Sequence, residues 1–537
     1  MFEYFSKDYP FPSKRNVVYA QNGMIATSQP LASQAGLDIL KKGGNAVDAA
    51  IAVAACLTVV EPTSNGIGGD AFAIVWMKDH IYGLNASGVS PKKISIEALK
   101  NLGVKEIPRF GFIPVTVPGI PSAWASLSKR FGKLTLLECL TPAIEYAKNG
   151  YPISPTLATS WNNAFKIYSK NLHGKEFDSW FDTFTINHKA PMEGEVWSSI
   201  DHANTLELIG ITNAEAFYKG VLSDKIDAYS KKFDGFIRKS DLEDYEPIWV
   251  EPIKVSYKGF DVWEIPPNGQ GLVALVALKI MEGFDISSKS RLEIMHLQIE
   301  SMKLAFSDGN AYICDPSNQA VTPSDLLNPS YIENRRKLIK EIASIFSVGK
   351  PSGGGTVYLA TADKDGNMVS YIQSNYMGFG SGLVVPGTGI ALQNRGHNFT
   401  LDIHHPNHLM PGIRPYHTII PGFLTKGQKA IGPFGVMGGF MQPQGHMQVV
   451  MNIVDFEFNP QSAIDAPRWQ WLEGKKIALE KSIPQSIIQG LIKLGHDVVV
   501  LEDSSSFGRG EIIFRDSESG VLVGGCEPRC DASISAW

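Results

Sequence analysis

Apolar and polar positions along this chain alternate between two regimes, one helical and one extended. Small apolar residues fill Ala46 to Val60 with Asp48 as the one charged interruption. Apolar positions on almost every side predict a buried helix there, not an amphipathic surface one. Asn45 is placed to cap it, and Gly43-Gly44 stops a shorter helix over Ser33 to Leu40. Ala71 to Trp76 and Ile81 to Leu84 read as strands either side of a short turn, so the chain opens helix, helix, hairpin. From about Leu127 to Leu304 helical spacing dominates, as in Arg291 to Phe306, while the aromatic-rich Trp161 to Phe184 carries no assignable period.

After Thr356 the pattern changes to strands. Val357–Ala362 and Met368–Ser374 flank Asp363-Lys364-Asp365-Gly366-Asn367, a turn sequence, which predicts a hairpin. A helix over Pro484 to Leu494 and strands at Val498–Leu501, Glu511–Arg515 and Val521–Gly524 close the chain. No repeat, low-complexity tract or linker stands out, and the Gly355–Thr356 junction is the one conspicuous break.

Composition narrows the classes. The 537 residues, 44% hydrophobic and 19% charged, can bury a large core and fit an ordinary globular protein. Basic and acidic residues number 49 and 54 and are interspersed, for a net charge of −5, so nothing tracks a phosphate backbone and nucleic acid is not an expected partner. Met1 to Lys14 lacks the continuous apolar core of a secretory signal, and Ala46–Val60 is too short to span a bilayer, so no membrane role is expected. Five scattered cysteines suit a reducing compartment, with the cytoplasm as the expected location.

Candidate chemistry concentrates at Gly353-Gly354-Gly355-Thr356. Three glycines let the backbone fold back on itself, so the Thr356 hydroxyl could attack the Gly355 carbonyl and cut the chain. A threonine exposed as a new terminus carries its own base, because an α-amine titrates near ~7.7–8.0. Taken alone, a glycine run before a strand also fits a plain flexible loop.

Further blocks occur in order with that one. They are Gly43-Gly44-Asn45-Ala46-Val47-Asp48-Ala49-Ala50, then Val60-Glu61-Pro62-Thr63-Ser64-Asn65-Gly66-Ile67-Gly68-Gly69-Asp70, and Gly438-Gly439 before Gln442-Pro443-Gln444-Gly445-His446. Together with Gly355-Thr356 through Asn367 they resemble the γ-glutamyltransferase family of N-terminal-nucleophile hydrolases over nearly the whole chain. The resemblance implies an α+β fold, a four-layer αββα sandwich, made as one precursor and cut into a large subunit (residues 1–355) and a small subunit (356–537). The two would form a heterodimer, leaving room for a higher oligomer, that acts on a small-molecule amide with no metal or organic cofactor. It implies Thr356 as nucleophile, Ser374 in place of a family threonine that bonds it, and Gly438 and Gly439 as the oxyanion donors.

The same resemblance fails at the amino-acid clamp. Ser87 stands where the family has an arginine for the substrate α-carboxylate, and Asn398 where it has an aspartate for the α-ammonium. Tyr376 and Arg395 replace an asparagine and a glutamine, and His417-Thr418 replaces a serine pair. Neutral Asn398 removes the partner of an ammonium, and Arg395 adds a planar donor fork suited to a carboxylate. The pocket is therefore expected to prefer an acyl group that ends in a carboxylate without an adjacent amine, as in glutaryl or cephalosporin-acylase-type substrates. The family's own γ-glutamyl or glutathione chemistry is the other reading, and a non-catalytic relative that binds a small acid is a third. Arg395 pairing with Asp402 at the surface is the bland alternative for that residue.

Other features have plainer readings. His397, His404, His405 and His408 form a polar loop interrupted by Pro406, without metal-site spacing. Asp363, Asp365 and Gly366 echo a calcium loop but lack its downstream acid, and Cys526 and Cys530 lack a second cysteine pair. Gly66 and Gly68-Gly69 have no preceding strand and so do not make a dinucleotide fingerprint; they are expected to shape the loop under the active site.

Overall fold

The structure, a computed structural model, describes residues 15–346 and 355–537. Met1–Lys14 and two members of the glycine run, Gly353 and Gly354, lie outside the described residues.

Three apolar cores define the layering. One lies between the helices Pro30–Lys41 and Ala46–Val60 and a seven-stranded sheet that contains Gly355–Asp363 and Met368–Tyr376. A second, with Met24, Phe72, Tyr358, Ile372, Phe423 and Ile513, lies between that sheet and another seven-stranded sheet. The third covers the outer face of the second sheet with the helices Gly271–Glu282 and Met441–Val454. The order is helices, sheet, sheet, helices, the αββα sandwich.

Each central strand is buried on both faces, and its residues divide by parity. Val357 and Leu359 face the helices, whereas Tyr358, Ala360 and Ala362 face the other sheet. The partner strand repeats this, with Val369 and Tyr371 toward the helices and Met368 and Ile372 between the sheets. Thr356 and Ser374 have the parity of the inner face. Strands from both sides of the Gly355–Thr356 junction interleave. In the first sheet Ser533–Ala536, Gly355–Asp363 and Met368–Tyr376 alternate with or flank Gly23–Thr27 and Asp70–Met77; in the second, four strands after residue 356 lie between Val18–Ala20 and Phe260–Glu264.

Local signals explain most boundaries. Asn45 caps Ala46–Val60 in a reciprocal box with Asp48, whose carboxylate also accepts the Lys133 N–H, so the one charge in this buried helix is fully used. The preceding helix begins earlier than Ser33, at Pro30, because the Gln29 side chain accepts the Leu31 and Ala32 N–H groups. Trp161–Phe184 resolves into two helices, Pro155–Asn171 and Asp178–Phe184, separated by Gly174 at φ +142°. Asp363 holds the hairpin turn by accepting from Asp365 and Asn367 N–H, and its second oxygen accepts the Ala46 N–H, so this aspartate serves a turn and a helix start. Among the described residues no helix is long and apolar enough to cross a membrane.

Candidate active site

The pairing between Gly355–Asp363 and Met368–Tyr376 slips at its open end. Val357 lies opposite Gln373, but Gly355 lies opposite Tyr376, so Ser374 and Asn375 together face Thr356 in a β-bulge. The extra residue bends the strand and puts Tyr376 at φ +77°, an unusual backbone for a bulky side chain. A consequence is that the Ser374 hydroxyl points back at the junction. Its Oγ donates to the Gly355 carbonyl at 2.5 Å, receives the Thr356 hydroxyl at 3.4 Å and accepts the Tyr376 N–H at 2.7 Å. The Thr356 hydroxyl, the Gly355 carbonyl and the Ser374 hydroxyl thus meet at one buried point, Thr356 being 3% exposed.

The glycine loop Gly66–Gly69 makes this approach possible. A side chain on Gly69 would meet the Ser374 carbonyl at 2.5 Å, and one on Gly66 would meet Asn375 at 2.9 Å. Gly438 and Gly439 lie on the turn before the helix Met441–Val454, at φ +128° and +61°. Both conformations favour glycine, and the strand Lys429–Met437 of the second sheet ends just before them. The Gln270 side chain pins this turn, donating to the Gly439 carbonyl at 2.9 Å and to the Thr418 carbonyl at 2.6 Å.

Arg395 is completely buried, which excludes the surface pair with Asp402. Its Nη1 donates to the Thr418 hydroxyl at 2.7 Å, and its guanidinium lies 4.3 Å over the Tyr376 ring. Nε and Nη2 have no hydrogen-bond partner among the described residues. Burial lowers its pKa to about 10, opposed by the charge of Asp70. Asp70, at the start of Asp70–Met77, sits beside Ser374 across the ladder. It accepts from the Gly88 N–H, the Gln393 amide and His417 Nε2. Burial pushes its carboxyl up to about 7, against the pull of Arg395 and these donors. His417 is held well below its usual range by burial and by the nearby Arg395, so it faces Asp70 as a neutral imidazole.

Tyr376, Arg395, His417 and Thr418 therefore form one assembly beside Thr356. Ser87 and Asn398 stand at its edge. Ser87 donates to Asn85 and is paired with Asn268, reaching the assembly through the neighbouring Gly88 N–H on Asp70 and through Asn268, whose backbone carbonyl accepts the His417 N–H. Asn398 donates to the Tyr416 carbonyl and is half-buried. Asp70, Gln270, Gln393 and Gln442 escaped the sequence reading as individual site residues, because their partners come from other segments of the chain: His417 for Asp70, Thr418 and Gly439 for Gln270, Asp70 for Gln393, and Thr356 and Ile420 for Gln442. Asp70 and Gln442 did lie inside the motif blocks, which was the available signal. In the 397–408 loop His397 bonds to the Ile107 carbonyl, and His405 and His408 bond within the loop itself. The five cysteines are unpaired and buried.

The profile of the gamma-glutamyltranspeptidase family matches residues 32–537. The chain is 35% identical to the glutathione hydrolase-like YwrD proenzyme of Bacillus subtilis (strain 168), over 95% of this chain and 97% of that one. It is 30% identical to the oxamate amidohydrolase proenzyme of Klebsiella pneumoniae, over 96% and 98% of the two chains. A solved cephalosporin acylase from Bacillus halodurans superposes with a TM-score of 0.97 at 58% identity, covering 100% of this chain and 99% of the other. The chain belongs to the gamma-glutamyltranspeptidase family. It is an enzyme of the N-terminal-nucleophile hydrolase class.

Proposed function

We propose that this protein is a self-cleaving amidohydrolase whose nucleophile is Thr356 and whose acyl pocket takes a group ending in a carboxylate. The observation that carries the first half is the convergence of Thr356 Oγ1 and the Gly355 carbonyl on the Ser374 hydroxyl. In the cutting step Thr356 Oγ1 bonds to the Gly355 carbonyl carbon, while Ser374 Oγ–H stabilises the negative oxygen of the tetrahedral intermediate. The C–N bond then breaks and the nitrogen takes the proton from the hydroxyl, leaving an ester and a free Thr356 amine. Water hydrolyses that ester, so Gly355 ends in a carboxylate and Thr356 begins the small chain.

In turnover the Thr356 amine takes the hydroxyl proton and Oγ1 attacks the substrate amide. The Gly438 and Gly439 N–H groups hold the oxyanion, where one donor is worth about 3 kcal/mol of barrier. The proton passes to the leaving amine, and water or an acceptor amine releases the acyl group. The proenzyme relatives support the first reaction and the amidohydrolase and acylase relatives the second. A Thr356→Ala chain should give one band on a denaturing gel and no amide hydrolysis, where the parent gives two bands with Thr356 starting the smaller. A parent that stays whole while turning over amides defeats the reading.

The pocket half rests on the buried Arg395 fork, two of whose donor nitrogens are unpartnered among the described residues. A planar bidentate carboxylate satisfies such a fork. Oxamate, the substrate in one relative's name, is itself an amide whose acyl part is a carboxylate without an amine. The competing reading, γ-glutamyl transfer or glutathione hydrolysis, draws on the B. subtilis relative, but neutral Asn398 offers an α-ammonium no counter-charge. Glutaryl anilide should be cut faster than γ-glutamyl anilide, and Arg395→Ala should raise KM for the glutaryl compound about tenfold or more. A γ-glutamyl preference that survives the substitution overturns it. A reducing, cytoplasmic setting belongs to the same proposal, supported by the five unpaired thiols.

A further inference from the structure

Gln442 occupies the first turn of the helix Met441–Val454, three residues after Gly439, and is completely buried. Its amide touches two groups of opposite kind. Oε1 accepts the Ile420 backbone N–H at 2.8 Å, and Nε2 lies 3.5 Å from Thr356 Oγ1. A backbone N–H can only donate, so the atom that meets it must be the oxygen. The orientation of the amide is thereby fixed by the main chain, and an N–H of Gln442 is aimed at the nucleophilic oxygen.

We propose that Gln442 is a catalytic donor to Thr356 Oγ1, acting in self-cleavage and in turnover. The inference rests on Thr356 being the nucleophile. A donor at this oxygen occupies one lone pair and directs the hydroxyl proton away from the helix, toward Ser374 in the intact chain and toward the α-amine after cutting. Its larger contribution comes when Oγ1 leaves the acyl group during deacylation. The carbonyl C–O bond breaks, negative charge builds on Oγ1, and the Gln442 N–H stabilises that charge until the Thr356 ammonium returns its proton. Gly438 and Gly439 serve the carbonyl oxygen, whereas Gln442 serves the nucleophile oxygen. One short turn, Gly438 to Gln442, therefore addresses both oxygens of the tetrahedral centre.

The test uses the full chain carrying Gln442→Glu, which keeps the oxygen that holds Ile420 and removes the donor. Conversion to two chains is followed by gel and intact mass, and kcat and KM for an anilide are measured on the cut protein between pH 5 and 10. With a catalytic donor, self-cleavage slows and kcat falls about 10–100-fold with KM little changed. The acidic limb of the pH–rate profile moves to higher pH, because a carboxylate beside the Thr356 amine favours its charged form. Cutting, kcat and acidic limb all within twofold of the parent overturn the proposal, since a purely structural glutamine loses nothing in this exchange. Gln442→Met, of similar volume, covers the case in which the glutamate variant does not fold. It should lower kcat without moving the acidic limb, and parental rates in a folded Gln442→Met protein equally overturn the proposal. A Thr356→Ala chain that still cuts and turns over would instead remove the nucleophile assignment, an outcome separate from either Gln442 variant.

Discussion

Ser374 shows how much chemistry one hydroxyl can carry when the backbone around it is committed. Its proton goes to the Gly355 carbonyl because the Tyr376 N–H and the Thr356 hydroxyl occupy its lone pairs. In Ser374→Ala the carbonyl loses this side-chain donor, and self-cleavage should slow by about 10²-fold, the usual loss for an oxyanion donor. Ser374→Thr keeps the hydroxyl and should cut near the parental rate. The check is the fraction of cut chain against time on a gel, and parental kinetics in the alanine variant would remove Ser374 from the reaction. In the sequence Thr356 stood out through its motif, and Ser374 only through the family resemblance, in the place of a family threonine. The sequence also showed the charge of Arg395, but not its burial, which depends on Asp70 as a counter-charge and on Thr418 from a separate segment. Gln442 stood in a quoted motif with no role, because its orientation is decided by Ile420, a contact that exists only after folding.

At the scale of elements, regular structure was readable where local chemistry fixes it. The Asn45–Asp48 box and the alanine-rich run made the buried helix plain, and the Asp363–Asn367 turn made the hairpin plain. Strands buried on both faces gave runs without alternation, so the sequence showed strand but not which face is which. The bulge at Ser374–Asn375 was hidden for a related reason. It is a property of register between two strands and of the glycines at 66 and 69 that admit the displaced backbone. The two helices within Trp161–Phe184 were hidden because their aromatic residues answer to a tertiary centre: Trp161, Tyr168, Trp180 and Phe184 all pack around Phe379, far along the chain.

At the scale of the whole molecule, the interleaved sheets mean that cutting Gly355–Thr356 leaves both segments hydrogen-bonded to each other within the same ladders. The helix Ile200–Thr212 adds a second join, with the Thr205 hydroxyl donating to the Thr388 carbonyl and His202 seated against Gly389. His202 is buried, bonded through Nδ1 to Ser199, and burial lowers its pKa to about 4. The folded protein thus keeps it neutral, while the unfolded chain binds a proton near pH 6.5. Its contribution is complete above about pH 6.5 and is lost as pH falls toward 4, by about 3 kcal/mol in all. Asp70, pushed up to about 7, titrates with the opposite sign over the same window, since the folded state binds its proton first. The parental stability curve alone therefore mixes the two, and the difference from a variant isolates the histidine. In the uncut Thr356→Ala background, His202→Gln should unfold at a lower temperature than its parent at pH 7.5. That gap should narrow steadily down to pH 4.5, because only the parent carries a histidine that must be kept unprotonated. Apparent unfolding midpoints by circular dichroism measure it, and a gap that stays constant with pH would show that the join does not hold a neutral imidazole.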